Sequence, residues 1–419
     1  MTLQTEAHPV AIIGYGTAGV NAAIALRICG YNGAIQVFSD HDTLPYSPIL
    51  TSYYAGGQKS LEECFPWTSD ELDDLHLETI CEGPVIELDP EAHTVKTSSG
   101  SYGYSKCIVA TGATPTTVGF PTVQGDESYK PLVLRSIKDA QRLKGVLENP
   151  DCKRMLISGA SMVALKTLEA CLNKDKTCTL VGMNPHVLDF NALPEIAARF
   201  EAGLKAQGVC LRLGQTIHAV KRTKDGLEVT FSTGDVEVFD EIAVSHGMAS
   251  NLGFVKPDTL EIDRALVVDS FMRTSHPDIY AAGDVAQATE LISGEKRIVG
   301  IWKNAAVQGS CAGAAIAAEL AGDKPGDDIA FRGAISSNTI AVNGTLFISA
   351  GTMEINDSRR VEFRETDDMV VAIIFQVEDG KPDQIVGFNL ACDHDEPGGL
   401  AYDTGAMLTL RIEKALERA

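Results

Sequence analysis

Apolar and polar positions divide this chain into repeating strand–helix–strand units. Val10 to Ile13 is an apolar run of strand length, and after Gly14 the spacing becomes that of a small-residue helix. Ile35-Gln36-Val37-Phe38 predicts the next strand. The same order returns with a strand from Met155 to Ser158, a helix opening near Met162 and a strand from Thr179 to Met183. Between the two units, Val85 to Leu88 and His93 to Thr97 predict a hairpin around Asp89-Pro90, and Cys107 to Ala110 predicts a buried strand. Further on, Pro194 to Gln207 has helical amphipathicity, Leu227 to Ser232 alternates like a half-buried strand, and Glu241 to Val244 closes the second unit. Ile279 to Ala282 is apolar, and Trp302 to Leu320 predicts a long Ala-rich helix, with a boundary at Gly322 to Gly326. The last stretch changes period. Strands are predicted at Ser336 to Ala341, Thr345 to Ala350, Val361 to Glu365 and Met369 to Gln376, followed by a helix from Met407 to Glu417.

The turns between these elements carry the chemistry. Gly14, Gly16 and Gly19 stand at the G-x-G-x-x-G spacing between a strand and a helix. The first glycine allows a tight turn, the second lets backbone N–H groups approach a pyrophosphate, and the third lets the helix pack on the strand. With Thr17 and Ala18, these residues form a helix N-terminus, where unpaired N–H groups and the dipole favour anions. Asp40, at the end of the second strand, can hold a ribose hydroxyl. Thr111-Gly112 ends a strand in small residues that let the backbone approach a bulky ligand. Gly283-Asp284 places a carboxylate at another strand end, either for a polyol hydroxyl or as an ordinary helix cap. The second unit copies the glycine motif imperfectly as Gly159-x-Ser161-x-x-Ala164, with Met162 and Val163 opening its helix. Two nucleotide sites follow, or one site and a relic.

Composition narrows the class. The 419 residues suggest two to three domains at roughly 100–200 residues each. A net charge of −22 argues against nucleic-acid binding and would repel an acidic partner away from any local basic patch. No apolar run reaches the ~20 residues of a membrane helix, and Met1 to Ala7 has no signal-peptide pattern. The ten cysteines are scattered, with no C-x-x-C or C-x-x-x-x-C pair. That spacing disfavours a dithiol, a zinc ribbon or a resident iron–sulfur cluster, and it fits a reducing cytoplasm. No metal site is expected.

Taken in order, Gly14-x-Gly16-x-x-Gly19, Ala110 to Pro115, the second nucleotide unit and Ile279 to Val285 resemble the FAD-dependent pyridine nucleotide–disulfide oxidoreductase superfamily. The resemblance covers nearly the whole chain. It implies an α/β protein with two Rossmann-like dinucleotide-binding domains, residues 1–120 with 248–328 for FAD and 121–247 for NAD(P). A C-terminal α+β domain, 329–419, would serve dimer or partner contacts. It also implies that Asp284 bonds the ribityl chain. Leu44-Pro45-Tyr46 and the helix carrying Trp302, Asn304, Gln308 and Gly309 look like the flavin-side segments of ferredoxin- and rubredoxin-reductase-like members. By that likeness Pro45 and Trp302 lie beside the flavin; the other reading of Trp302 is a buried tryptophan at a domain seam.

The departures from the family pattern direct the functional expectation. Members that use a redox cysteine carry it four residues before the tyrosine of Leu-Pro-Tyr, where this chain has Asp42. A lysine usual in the reductase loop is replaced at Thr51-Ser52, and the usual glutamate of the second helix is Lys166. The strand end at Gly182-Met183 offers neither an acid for a ribose diol nor an arginine for a 2′-phosphate, and the expectation leans to NAD over NADP. The reading is an FAD enzyme exchanging electrons between NAD(H) and an iron–sulfur protein or subunit. It resembles the flavin subunits of multisubunit oxidoreductases, acting as a homodimer or in a hetero-oligomer. An NADH oxidase or disulfide reductase-like enzyme, and a flavin scaffold without nicotinamide binding, stay open. No side chain is nominated as acid, base or nucleophile. Cys64 is either a core thiol or one brought to the flavin by folding, and Phe65-Pro66-Trp67 is read as aromatic packing of a loop.

Overall fold

The computed structural model describes residues 8–393 and 399–416. The expectations on Met1 to Ala7 and on Glu417 lie outside those residues. The chain forms two compact units. One holds the chain up to Ser47, Phe65–Thr114 and Ala249–Ala334; the other holds Pro48–Cys64, Pro115–Met248 and the chain from Ile335 onward.

The first unit is built on a five-stranded parallel sheet, ordered Ile279–Ala281, Lys106–Val109, Val10–Ile13, Ile35–Phe38, Leu77–Ile80. Its strands are continuously apolar because both faces are covered, as parallel sheets require; Val10, Ile12, Val37, Ile108 and Val109 are fully buried. The helices Thr17–Ile28 and Trp302–Leu320 lie against one another through small residues. A Cβ on Gly309 would come within 2.1 Å of the Ala18 carbonyl oxygen, and one on Gly313 within 2.3 Å of that of Ala22. Those glycines are what permit the helix contact. The hairpin expected at 85–97 is a three-stranded antiparallel sheet of Glu87–Asp89, Thr94–Lys96 and Ser101–Gly103. It starts later than expected because Leu88 and Val95 are the inward residues, while Ile86 is half exposed.

The second unit repeats the parallel theme with four strands, Cys210–Leu213, Thr177–Gly182, Arg154–Ser158 and Glu241–Val244. The helix Met162–Leu172 follows the first strand of the motif, and Pro194–Ala206 opens on proline, which suits a helical first turn. A five-stranded antiparallel sheet follows, ordered Ser337–Val342, Thr345–Gly351, Gln384–Cys392, Met369–Gln376, Arg359–Glu365. Its central strand, Gln384–Cys392, was not expected from the sequence. The last helix is Leu400–Leu416, beginning earlier than the expected Met407. Gly405 lets it close on Ile348, where a Cβ would stand 2.9 Å from a methyl carbon.

Candidate cofactor sites

All twelve residues expected around FAD fall in the first unit: Gly14, Gly16, Thr17, Ala18, Gly19, Asp40, Pro45, Thr111, Gly112, Gly283, Asp284 and Trp302. The glycine turn is shaped by backbone crowding. Gly14 has φ +112°, and a Cβ there would stand 2.3 Å from the Ala110 carbonyl oxygen. A Cβ on Gly19 would lie 2.1 Å from the carbonyl oxygen of Gly14. Gly16 is different: beyond its chain neighbours, a Cβ there would meet no atom of the described residues within 4 Å. The middle glycine thus faces open space and the outer two face backbone, the division of labour a phosphate cradle needs. Gly16 also caps the helix Thr17–Ile28 without any side-chain bond to its first turn. Beside it the Thr17 hydroxyl is buried and has no hydrogen-bond partner among the described residues. An uncapped helix start with an orphaned buried hydroxyl fits an anionic ligand.

The flanking residues are held by side-chain bonds. The Thr111 hydroxyl donates to the Asn251 carbonyl (2.8 Å), the Asn251 amide donates to the Thr111 carbonyl (2.9 Å), and the Asn251 N–H donates to the Gly112 carbonyl (2.9 Å). Sequence reasoning missed Asn251; it locks the backbone of the Thr111-Gly112 pair. Gln308 is buried on the helix Trp302–Leu320, and its side-chain oxygen accepts the Gly283 N–H at 2.8 Å. The Gly283-Asp284 turn is therefore fixed from that helix, which explains an uncharged polar residue on its buried face. Ser250 donates to the Asp284 carbonyl at 2.8 Å. Asp40 keeps its carboxylate largely in water, 70% exposed, 3.8 Å from the His41 ring.

The two tryptophans of the chain meet. Trp67 stacks on Trp302 with ring centroids 5.9 Å apart and planes at 28°. The aromatic cluster expected at 65–67 is thus a cover for the start of the Trp302 helix. The segment after Trp67 is fixed by a capping box, in which Thr68 and Glu71 satisfy each other's backbone N–H.

Asp42 is exposed, at the wall of a cavity of about 580 Å³ that Tyr15, His41, Asp73 and Cys81 also line. The Cys81 thiol is pushed up by partial burial and by the carboxylates of Asp42 and Asp40. Cys64 is fully buried and points its sulfur at the Leu50 and Ser60 carbonyls; burial, with Glu63 nearby, raises its pKa. Burial lifts Cys152 and Cys311 to about 11. A thiol with a raised pKa is protonated at neutral pH and is a poor nucleophile. Cys64 is thus a buried, protonated thiol packed against the backbone of Leu50 and Ser60. A maleimide is expected to label Cys29, Cys81 and Cys210, the exposed thiols, in the native protein, with Cys81 slowest and speeding up as pH rises. The buried seven are expected to react only after unfolding, which peptide mapping by mass spectrometry reads directly.

The four residues expected around NAD, Gly159, Ser161, Met162 and Val163, lie in the second unit. Gly159 repeats the tight turn, with φ +118° and a Cβ position 2.3 Å from the Ser245 carbonyl oxygen. Ser161 caps the helix Met162–Leu172, its hydroxyl 3.5 Å from the Ala164 N–H and 2.9 Å from the Ser245 hydroxyl. It stays exposed, so its hydroxyl is available at the mouth of the turn. Lys166 is paired with the buried Glu169 and lies 4.0 Å from the ring centroid of Tyr53. Its ammonium thus lies against the helix Thr51–Ala55, with its charge matched by Glu169. Among the described residues there is no cluster of His, Cys, Asp and Glu suited to a metal and no helix long and apolar enough to cross a membrane.

With two glycine turns at strand ends of two parallel sheets, the molecule is a double dinucleotide-binding fold. Residues 8–309 match the family described as pyridine nucleotide-disulphide oxidoreductase, and the chain belongs to it. A rubredoxin-NAD(+) reductase of Ectopseudomonas oleovorans is 30% identical over 287 residues, 67% of this chain and 72% of that protein. The NADH-dependent phenylglyoxylate dehydrogenase subunit epsilon of Aromatoleum evansii is 26% identical over 381 residues, 90% of this chain and 87% of the relative. In a covalent putidaredoxin reductase–putidaredoxin complex, one chain is similar in fold with a TM-score of 0.81 at 22% identity, covering 96% of this chain and 93% of that one. The protein is accordingly an oxidoreductase of the flavin and pyridine nucleotide class.

Proposed function

We propose that this protein exchanges electrons between NAD(H) and an iron–sulfur protein or subunit, as the flavin component of a multicomponent oxidoreductase. One observation carries this reading. The glycine turn has an open Gly16 and an unpartnered buried Thr17 hydroxyl, while an exposed aspartate, Asp42, stands four residues before Tyr46 and Cys64 is buried. The relatives support the same direction, since two of them are named for rubredoxin and putidaredoxin and a third is a subunit of a larger dehydrogenase.

FAD, when bound, accepts an electron pair with a hydride from NADH and releases electrons singly to a partner. The chain's own part is to hold and orient. The helix start at Gly16 and Thr17 takes the pyrophosphate, Asp40 a ribose hydroxyl and Asp284 a ribityl hydroxyl. Thr111-Gly112, clamped by Asn251, lets the backbone approach, and Pro45 and Trp302 border the ring. No side chain moves a proton in this scheme. NAD binds at Gly159 to Val163, with the Ser161 hydroxyl donating to a phosphate oxygen.

The FAD-loaded protein is expected to oxidise NADH with a one-electron iron–sulfur acceptor such as rubredoxin at least about tenfold faster than with oxygen or a small disulfide. Faster turnover with oxygen would favour an oxidase, and faster turnover with disulfide would restore the thiol reading.

A further inference from the structure

The second strand of the NAD motif ends at Gly182 with no acid, and the exposed Met183 follows. The chain then folds back over the glycine turn. A Cβ on Gly182 would stand 2.9 Å from that of Ala160, so the strand end lies directly on the turn. The loop beyond it is pinned at three points. The Asn184 carbonyl accepts the Gly214 N–H at 2.9 Å, and the Val187 N–H donates to the buried Glu201 carboxylate at 3.1 Å. The Leu188 N–H donates to the Ala160 carbonyl at 2.9 Å, in the middle of the glycine turn. Leu188 holds φ +56°, a left-handed conformation that a leucine adopts only where its surroundings dictate it.

The residue after that anchor is Asp189. It is exposed, and its Oδ2 accepts a hydrogen bond from the Asn184 side-chain amide at 3.0 Å. Asn184 directly follows the strand end, so this bond brings a carboxylate from the far arm of the loop back toward the place where the strand itself offers none. A carboxylate can accept several hydrogen bonds, and Asn184 uses one. The apolar side chains at the two arms, Met183 and Phe190, are 76% and 88% exposed. Exposure of two large apolar side chains beside a nucleotide turn is what a flat aromatic base would relieve.

We propose that Asp189, positioned by Asn184, takes the adenosine ribose diol of the nicotinamide dinucleotide and selects NAD(H) over NADP(H). This deepens the reading above and rests on nicotinamide binding in the second unit. A 2′-phosphate would meet the Asp189 charge. Arg212, paired in sheet register with Val181 near the same strand end, is already committed to Asp235 and Glu237 and lies 4.4 Å from the Phe231 ring centroid.

The test is calorimetric titration of the FAD-loaded protein with ADP-ribose and with 2′-phospho-ADP-ribose. The wild type is expected to prefer ADP-ribose by about tenfold or more, the scale of one charge-assisted hydrogen bond. Asp189→Ala should lose about that factor for ADP-ribose and abolish the preference. Asp189→Asn, which keeps the shape and removes the charge, should gain affinity for the 2′-phosphate form. Because Asp189 is exposed, the melting curves should be unchanged. An unaltered preference in Asp189→Ala, with NADH still bleaching the flavin, overturns the assignment and leaves the functional reading standing. Failure of the wild type to bind either nucleotide, with no bleaching by NADH, overturns both.

Discussion

Gly16→Ala is expected to fold and melt as the wild-type apoprotein does, yet to retain less than about a tenth of the wild-type FAD on purification. Beyond its chain neighbours, a methyl group at this position meets no atom of the described residues within 4 Å, so the fold accommodates it. The clash expected is with whatever approaches the helix start. The ratio of flavin to protein absorbance, set beside a thermal melt of the apoprotein, measures the two effects separately. A normal flavin content in this variant would mean that the open space at Gly16 is not where the pyrophosphate lies.

Gly14→Ala is expected to act two residues away and by the opposite route. Its methyl group would sit 2.3 Å from the Ala110 carbonyl oxygen, in a backbone at φ +112°. Neither neighbour can give way cheaply. The Gly14 N–H is bonded to the Phe38 carbonyl at 2.9 Å, and the Ala110 N–H to the Ile13 carbonyl at 2.7 Å. The left-handed backbone costs about 1–2 kcal/mol for a residue with a side chain. The overlap in a close-packed centre costs about 1–3 kcal/mol more. A total of roughly 2–5 kcal/mol is a large part of the ~5–15 kcal/mol that holds a domain folded. This variant should therefore show a lowered melting temperature even without FAD. The contrast between the two glycines isolates the ligand-facing one from the fold-forming one.

What could be read in the sequence was what local backbone geometry dictates. The glycine turns, the small residues at Thr111-Gly112 and the Gly283-Asp284 pair each need particular residue types within a few positions. Contacts made over long separations left no such trace. The central strand Gln384–Cys392 escaped because Gly387 and Asn389 interrupt its apolar run. Asn389 is nevertheless fully buried, accepting the Leu193 N–H at 2.7 Å and donating to the Asn191 carbonyl at 2.9 Å. The polar residue that hid the strand thus ties it to the loop before the helix Pro194–Ala206. Trp67 gave no periodic signal, and only folding shows it stacked on Trp302. Asn251 and Gln308 act through hydrogen bonds to backbone groups far along the chain. Asp189 left no signal, since the bonds that place its loop, Leu188 to Ala160 and Gly214 to Asn184, join residues far apart in the chain.

A flavin without a thiol relay is proposed as the redox centre of this chain. Anaerobic titration of the FAD-loaded protein with NADH tests it most directly. The flavin band is expected to bleach completely at one equivalent of NADH per flavin, with no second reducible centre. A requirement for two equivalents would reveal a thiol or disulfide that shares the electrons, and absence of bleaching would remove nicotinamide from the reaction; either result would contradict it.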